Sequence, residues 1–198
     1  MFDVKRFSDR VMLVKLILCS SVVTLLLVYA PQSSLPDSEK DKFYDLLQDA
    51  MSSISDLELI FPCGDWNSHI GLDASGFEGV HGGHVFGDRN IEGERFLEFA
   101  VANNLVIGNS FFNKRDSHLI TYESGSSKSQ IDYILCRKRD LKVVRDIKVI
   151  PSEECVPQHK LLTCDIVISL QKAQPKKSPK LKAWKLHDPT VKPLFYCL

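Results

Sequence analysis

Several features that identify common classes of protein are missing from this sequence. Lys and Arg together number 25, as do Asp and Glu, so the net charge of zero indicates no particular partner. The six cysteines form no CxxC pair and no tight spacing, which disfavours a disulfide scaffold. No GxxxxGK[ST] pattern is present, which argues against a P-loop nucleotide site. At 198 residues, we expect one domain with reduced thiols in an intracellular protein, nuclear or cytoplasmic.

The apolar run near the start of the chain has two interpretations. Between Leu16 and Val28 it is too short for a membrane span, so we expect no stable membrane association. Basic residues before it and "VYA" after it resemble a secretory leader, whose removal would make residues 1–30 a signal peptide of a secreted protein. The same residues fit two buried strands, Val11–Cys19 and Ser21–Tyr29, rich in Val, Leu and Ile. The strand interpretation is preferred.

Downstream of Tyr29, helical and strand-like patterns alternate. Apolar residues at helical spacing predict a helix over about Ser38–Ile54, with Ser38 and Asp41 as its start signal. A second helix is predicted in "EGERFLEFAVANN", after a loop at 72–90 that is rich in Gly and His. Strand-like runs occupy residues 57–63, 105–109, 118–124, 129–136, 142–150 and 161–168. The order predicts an α/β fold, or an α+β-like one, with layered sheets.

Polar side chains stand at the ends of these predicted strands. Asp65 and Asn67 follow the strand that ends in "CGDWN", a pattern that also occurs in simple turns. Asp132 lies inside an apolar strand, where a carboxylate needs a partner or a metal. His159 begins the following strand and Tyr29 ends an earlier one, and either of them alone would be unremarkable. Because ligand sites in layered α/β folds gather at strand ends, together they predict a functional site.

These residues lie in motifs that resemble a known family. The motifs are "VYAPQ", "GDWNSHIG", "FGDRNIEGERFLEFAVANNLVIGNSFF", "QIDYILC" and "VPQHKLLTCDI". They resemble the endonuclease/exonuclease/phosphatase superfamily, which includes AP endonucleases, pancreatic-type deoxyribonucleases and the endonuclease domains of LINE-type retrotransposons. The likeness is strongest to a retrotransposon-derived branch, the craniofacial development protein 2-like chains. It runs from about Asp9 to Leu170.

The resemblance implies a fold, a reaction and a role for each residue. The fold would be a two-layer β-sandwich flanked by helices, and the reaction Mg²⁺- or Mn²⁺-dependent cleavage of phosphodiester bonds. Asp65 would orient or deprotonate the attacking water, and Asn67 would hold the scissile phosphate. These two would also form an incomplete, weakly binding metal site. His159 would stabilise charge on the phosphate while Asp132 fixes its ring, and Tyr29 would donate to a phosphate oxygen.

The sequence departs from the family pattern in two ways that affect the predicted metal site. Members usually carry Asp before the final His, where this chain has Gln158. They also carry two strands ahead of the one matching Val11–Cys19, which supply an Asn and the principal metal-binding Glu. We expect those first strands to be missing. Residues 1–8 would then be an N-terminal extension, 9–170 a partial domain and 171–198 a Lys- and Pro-rich tail.

Two functional hypotheses follow. One is an endonuclease or phosphodiesterase of impaired activity that acts on nucleic acid, DNA in preference to RNA. The alternative is a catalytically inactive, retrotransposon-derived remnant that binds nucleic acid or protein. A zinc site at His69 and "HGGH" (81–84) is disfavoured because no fourth ligand stands at a suitable spacing.

Overall fold

The computed structural model describes residues 2–18 and 21–168. In chain order the elements are β1 (Phe2–Arg6), β2 (Val11–Leu18), β3 (Ser21–Tyr29), α1 (Asp37–Ser52), β4 (Leu59–Asp65), α2 (Ile91–Ala102), β5 (Leu105–Ile107), β6 (Tyr122–Ser124), β7 (Ser127–Ser129), β8 (Asp132–Arg137), β9 (Val144–Val156) and β10 (His159–Ile166). Short 3-10 helices cover Gly108–Phe111, Asp116–His118 and Lys138–Val143.

The strands form two sheets that pack face to face. The six-stranded sheet has the order β1-β2-β3-β4-β8-β5, and the four-stranded sheet has the order β7-β6-β10-β9. Apolar side chains of the six-stranded sheet alternate between its two faces. One face packs against α1 and α2, and the other packs against the four-stranded sheet. The prediction of an α/β fold, a two-layer β-sandwich flanked by helices, is confirmed.

A crossover unit in the middle of the larger sheet positions two of the predicted site residues, Tyr29 and Asp65. Strands β3 and β4 are parallel and are joined through α1, so both end at the same edge of the sheet. Helix α1 begins at Asp37, directly after Pro36, and no side chain caps it, so the predicted start signal at Ser38 is wrong. The ring of Pro36 fixes its φ angle just before the first turn. The acidic side chains of Asp37 and Glu39 in that turn interact favourably with the positive end of the helix dipole.

The N-terminal region contains more structure than the sequence predicts. Strands β2 and β3 lie inside the larger sheet, which confirms the strand interpretation of the apolar run. Residues 2–6, which lie in the stretch assigned to an N-terminal extension, form the short strand β1. This strand pairs antiparallel with β2, from Phe2 opposite Leu16 to Arg6 opposite Met12. Only Phe2 and Val4 are apolar in this strand, and two residues are too few to reveal the alternation that identifies a strand in a sequence.

Apart from β7, the later strands lie where the sequence predicts strands, but their lengths differ from the predicted ones. The run 118–124 forms a strand only at β6, and its start belongs to a 3-10 helix. Strand β9 continues past the predicted end at residue 150, with largely exposed residues. The predicted tail, 171–198, lies outside the described residues. No helix in the described part of the chain is long and apolar enough to cross a membrane.

Candidate functional site

Neighbouring strands of the larger sheet carry the predicted site residues in one row. Tyr29, the last residue of β3, stands opposite Asp65, the last residue of β4. Asp65 in turn stands opposite Asp132, the first residue of β8. The first residue of β10, His159, approaches this row from the second sheet. The structure therefore brings together residues that are far apart in the sequence.

The stretch "GDWN" turns sharply at the end of β4. Gly64 has a φ of +142°, and a Cβ atom there would lie 2.0 Å from the carbonyl oxygen of Val28, so glycine is required. The backbone N–H of Asn67 donates to Asp65 Oδ1 (2.8 Å), and Asn67 has a left-handed φ of 46°. The Asn67 side-chain amide donates to the carbonyl oxygen of Ala30 (2.8 Å). Within the described residues, the Asn67 carboxamide oxygen has no protein donor.

Trp66, which lies between Asp65 and Asn67 in the sequence, anchors the turn in the hydrophobic core. Its side chain is 1% exposed and stacks on Phe96, with ring centroids 4.3 Å apart. Its Nε1 atom donates to the carbonyl oxygen of Tyr133 (3.3 Å). The large side chain at this position is therefore a core residue, and it holds Asp65 and Asn67 on the opposite side of the turn.

Asp132 and His159 form a hydrogen-bonded pair. His159 Nδ1 lies 3.1 Å from Asp132 Oδ2, with side-chain exposures of 20% and 16%. When Nδ1–H donates to this carboxylate, the ring is held with Nε2 free to act on another molecule. The ring of Tyr122 packs edge-on against the imidazole, with centroids 4.9 Å apart. The orientation of His159 is thus fixed from two sides.

The Asp65 carboxyl lies in an unusual electrostatic environment. Its pKa is raised to about 6, mainly by burial and to a lesser extent by the neighbouring Asp132, while the Asn67 N–H and His159 oppose the rise. No Lys or Arg of the described residues forms an ion pair with it. A carboxylate with this pKa is mostly ionised at neutral pH, yet it is basic enough to take a proton.

The donor atoms fit a hard cation, although they are few. Asp65 and Asn67 offer oxygen atoms, the ligand type that Mg²⁺ prefers, and Mg²⁺ commonly keeps waters and shares substrate phosphates. A bound cation would also neutralise the carboxylates of Asp65 and Asp132. The described residues contain no group of three or more His, Cys, Asp or Glu arranged to hold a metal. Asp65 and Asn67 would therefore hold Mg²⁺ weakly in the absence of substrate.

Two hollows open on either side of this row and share Tyr29, Asp65 and His159. One has a volume of about 390 Å³ and is mainly apolar, extending toward Leu27 and Val156. The other is about 350 Å³ and polar, with Gln32, Ser33, Asn67, His69, Asn90 and Gln158 in its walls. Tyr29 is 46% exposed and stands where they meet.

Some residues that shape the site could not be recognised from the sequence. The Tyr122 hydroxyl donates to Gln158 Oε1 (3.0 Å), and Gln158 Nε2 donates to Ser124 Oγ (2.9 Å), so both ends of that amide are occupied. The hydroxyl of Thr121 accepts the backbone N–H groups of Ile131 and Asp132 (3.0 Å each). No local sequence pattern predicts these contacts, because they depend on how the β6 region packs against β8 and β10.

His81, in the glycine-rich loop, has a structural role. His81 is 2% exposed, its Nε2 lies 2.7 Å from the carbonyl oxygen of Gly71, and its Nδ1 accepts the N–H of Gly83 (2.8 Å). Both ring nitrogens are thus used within the loop, and burial lowers its pKa. His81 fixes the loop that follows the "GDWN" turn.

Comparisons with known proteins place this geometry in context. No family model matches the chain. Over 151 residues it is 34% identical to craniofacial development protein 2 from Bos taurus, an alignment that covers 75% of this chain and 25% of that protein. The chain thus spans about a quarter of the length of the curated relatives it matches.

Two solved structures share the fold. The endonuclease domain of TRAS1, a telomere-specific non-LTR retrotransposon, has a TM-score of 0.60 at 15% identity and covers 83% of this chain and 67% of that one. An endonuclease/exonuclease/phosphatase family protein from Leptotrichia buccalis has a TM-score of 0.56 at 16% identity, with coverages of 85% and 60%. The comparisons confirm the resemblance drawn from the sequence motifs.

Proposed function

We propose that this chain, which resembles craniofacial development protein 2 in sequence and endonuclease/exonuclease/phosphatase proteins in fold, hydrolyses phosphodiester bonds of nucleic acid, DNA in preference to RNA. The observation that carries the proposal is the convergence of Asp65 with the Asp132–His159 pair at one sheet edge. The name of the TRAS1 domain, an endonuclease from a telomere-specific element, favours DNA. The mixed hydrophobic and polar hollows at the site suit a substrate with bases and phosphates.

Each residue has a role that its geometry allows. Asp65 accepts a proton from the attacking water, since its raised pKa makes it a competent base. The Asn67 carboxamide, fixed by Ala30, positions the scissile phosphate beside it. His159, oriented by Asp132, donates from Nε2 to the developing charge.

Tyr29 and a cation complete the proposed site. The exposed hydroxyl of Tyr29 donates to a second phosphate oxygen. Mg²⁺ or Mn²⁺, held by Asp65 and Asn67 together with the substrate, supplies charge neutralisation when bound. The small donor set predicts slow turnover and a requirement for high metal concentration.

The test is a plasmid-nicking assay on monodisperse protein with Mg²⁺ or Mn²⁺, and with chelator as the blank. We expect Asp65→Ala and His159→Ala each to reduce nicking by about 10²-fold or more. His84→Ala, which removes an exposed imidazole elsewhere, is the matched control and should nick like the parent. Nicking by a folded parent that both site variants retain would show that a contaminant or another site is responsible.

A second candidate function is nucleic-acid binding without cleavage. The observation that favours it is the small donor set, one free carboxylate and one carboxamide, with Gln158 committed to Tyr122 and Ser124. Fluorescence anisotropy with a labelled DNA duplex separates the two functions. Binding without nicking, lowered by Tyr29→Ala, supports the binding function, whereas nicking lost in Asp65→Ala supports the enzyme.

A further inference from the structure

The outer edge of β1 is the end of the larger sheet. On one side β1 pairs with β2 along its whole length, and no other described strand pairs with its opposite side. Val4, at its centre, is 50% exposed. A strand in this position offers free backbone N–H and C=O groups to another strand. The sequence of β1 itself indicates which strand fits this edge.

The hydrogen bonding to β2 fixes which backbone groups point outward. The N–H of Phe7 donates to the carbonyl oxygen of Val11 (3.0 Å), and the β1–β2 register continues from this pair. In an antiparallel ladder the hydrogen-bonded pairs alternate, so Lys5 and Asp3 also bond inward to β2. The backbone N–H and C=O of Val4 therefore point away from β2 and are free to pair.

The side chains of β1 are self-complementary in an antiparallel arrangement. If a second β1 pairs about a two-fold axis at Val4, Asp3 of each copy stands opposite Lys5 of the other. Residues directly opposite have Cβ atoms about 4.5–5.5 Å apart, close enough for an ion pair. Within the described residues Asp3 has no ion-pair partner, and the Lys5 ammonium lies over the Phe7 ring, 4.4 Å from its centroid.

The same arrangement continues an apolar row across the axis. Val4 stands opposite Val14 of β2, and Val14 stands opposite Leu25 of β3, on one face of the sheet. Pairing at Val4 would join this row to its copy and cover the exposed side chain of Val4. A parallel pairing in register would instead place Asp3 beside Asp3 and Lys5 beside Lys5, which is unfavourable.

We propose that β1 is the interface of a two-fold symmetric homodimer, in which two copies of this chain pair antiparallel about Val4 and their larger sheets join into one continuous sheet. The interface is isologous, with Val4 meeting its own copy and two Asp3–Lys5 ion pairs flanking it. It is independent of the proposed hydrolysis. The alternative role for the same charges is to keep other strands away from the edge, and in that case no dimer would form.

Charge exchange tests the proposal directly. Asp3→Lys and Lys5→Asp, as single changes, would each place like charges opposite one another, whereas the double variant restores opposite charges with the order reversed. Sedimentation velocity over a wide range of protein concentration should show the parent moving from 22.4 kDa toward twice that mass. Each single change should raise the dimer Kd about tenfold or more, and the double variant should restore it.

Two further variants sharpen the result. Asp45→Lys makes the same change in net charge as Asp3→Lys on the exposed face of α1, and it should dimerise like the parent. Val4→Pro removes the outward N–H and should give a monomer. A parent that stays at monomer mass throughout would overturn the proposal. A dimer that both single exchanges leave intact would also overturn it, because its contact would lie elsewhere.

Discussion

Replacing Asp65 by Asn should make the protein more stable and less active. The Asn side chain keeps an oxygen that can accept the N–H of Asn67, which now lies 2.8 Å from Asp65 Oδ1. The substitution also removes the negative charge of Asp65, which burial makes unfavourable. Because the pKa of Asp65 is raised from its ordinary value of 3.8 to about 6, the folded state holds the proton more tightly than the unfolded state.

The size of the effect follows from that shift. A difference of about 2.2 pKa units, multiplied by 1.36 kcal/mol per unit, gives roughly 3 kcal/mol of destabilisation above pH 6. Asp65 is partly open to solvent, so we halve this to about 1.5 kcal/mol. In a domain of this size that corresponds to a rise in Tm of about 3–6 °C for Asp65→Asn near neutral pH.

The stability gained by Asp65→Asn should depend on pH. Below the ordinary carboxyl pKa, Asp65 is protonated in both states and the penalty disappears. The Tm difference between Asp65→Asn and the parent should therefore grow from near zero at about pH 3 to its full value at about pH 7. Asp45→Asn, an exposed carboxylate on α1, controls for the change in charge. A Tm difference that is constant with pH, or a variant less stable than the parent at neutral pH, would refute the argument.

Four further outcomes are expected. The nicking rate should rise as pH increases through about 6, where Asp65 loses its proton, and a flat profile would mean another base. Gly64→Ala should lower the free energy of unfolding in urea by more than about 2 kcal/mol, because its Cβ meets a carbonyl oxygen at 2.0 Å. Trp66→Ala should lower it by about 3–5 kcal/mol by emptying the core beneath the turn, and a smaller loss would mean that the site collapses to fill the space. Asn90→Ala should lower it by about 1–2 kcal/mol, since its side chain caps α2; restoration by Asn90→Asp would identify capping as the cause.

The positions of Tyr29 and Asp65 at strand ends could be predicted from the sequence, because each residue follows an apolar run of strand length. Tyr29 and Asp65 close two apolar runs separated by a helix, and parallel strands joined in this way end at the same edge. A carboxylate in an apolar run needs a partner, and Asp132 has one in His159, whose Nδ1 lies 3.1 Å from its Oδ2.

The rest depends on pairing that no local pattern records. Tyr122 meets His159 through a single register pair between β6 and β10, and β6 is only three residues long. Gln158 lines the polar hollow with both ends of its amide bonded to Tyr122 and Ser124, and it has a left-handed φ of 73° that residue type alone does not indicate. Strand β1 escaped prediction because Asp3, Lys5 and Arg6 leave too few apolar positions for a period to be seen.

The location of His159 at the start of β10 bears on how the protein is made. Tyr29 and Asp65 leave the ribosome early, whereas the imidazole and the strand that presents it are the last described part of the chain to emerge. Contacts between residues so distant in sequence form slowly, after the sheets have found each other. A chain interrupted before β10 would therefore carry Tyr29 and Asp65 without His159. Any chemistry that needs all of these residues would be withheld until β10 has been synthesised.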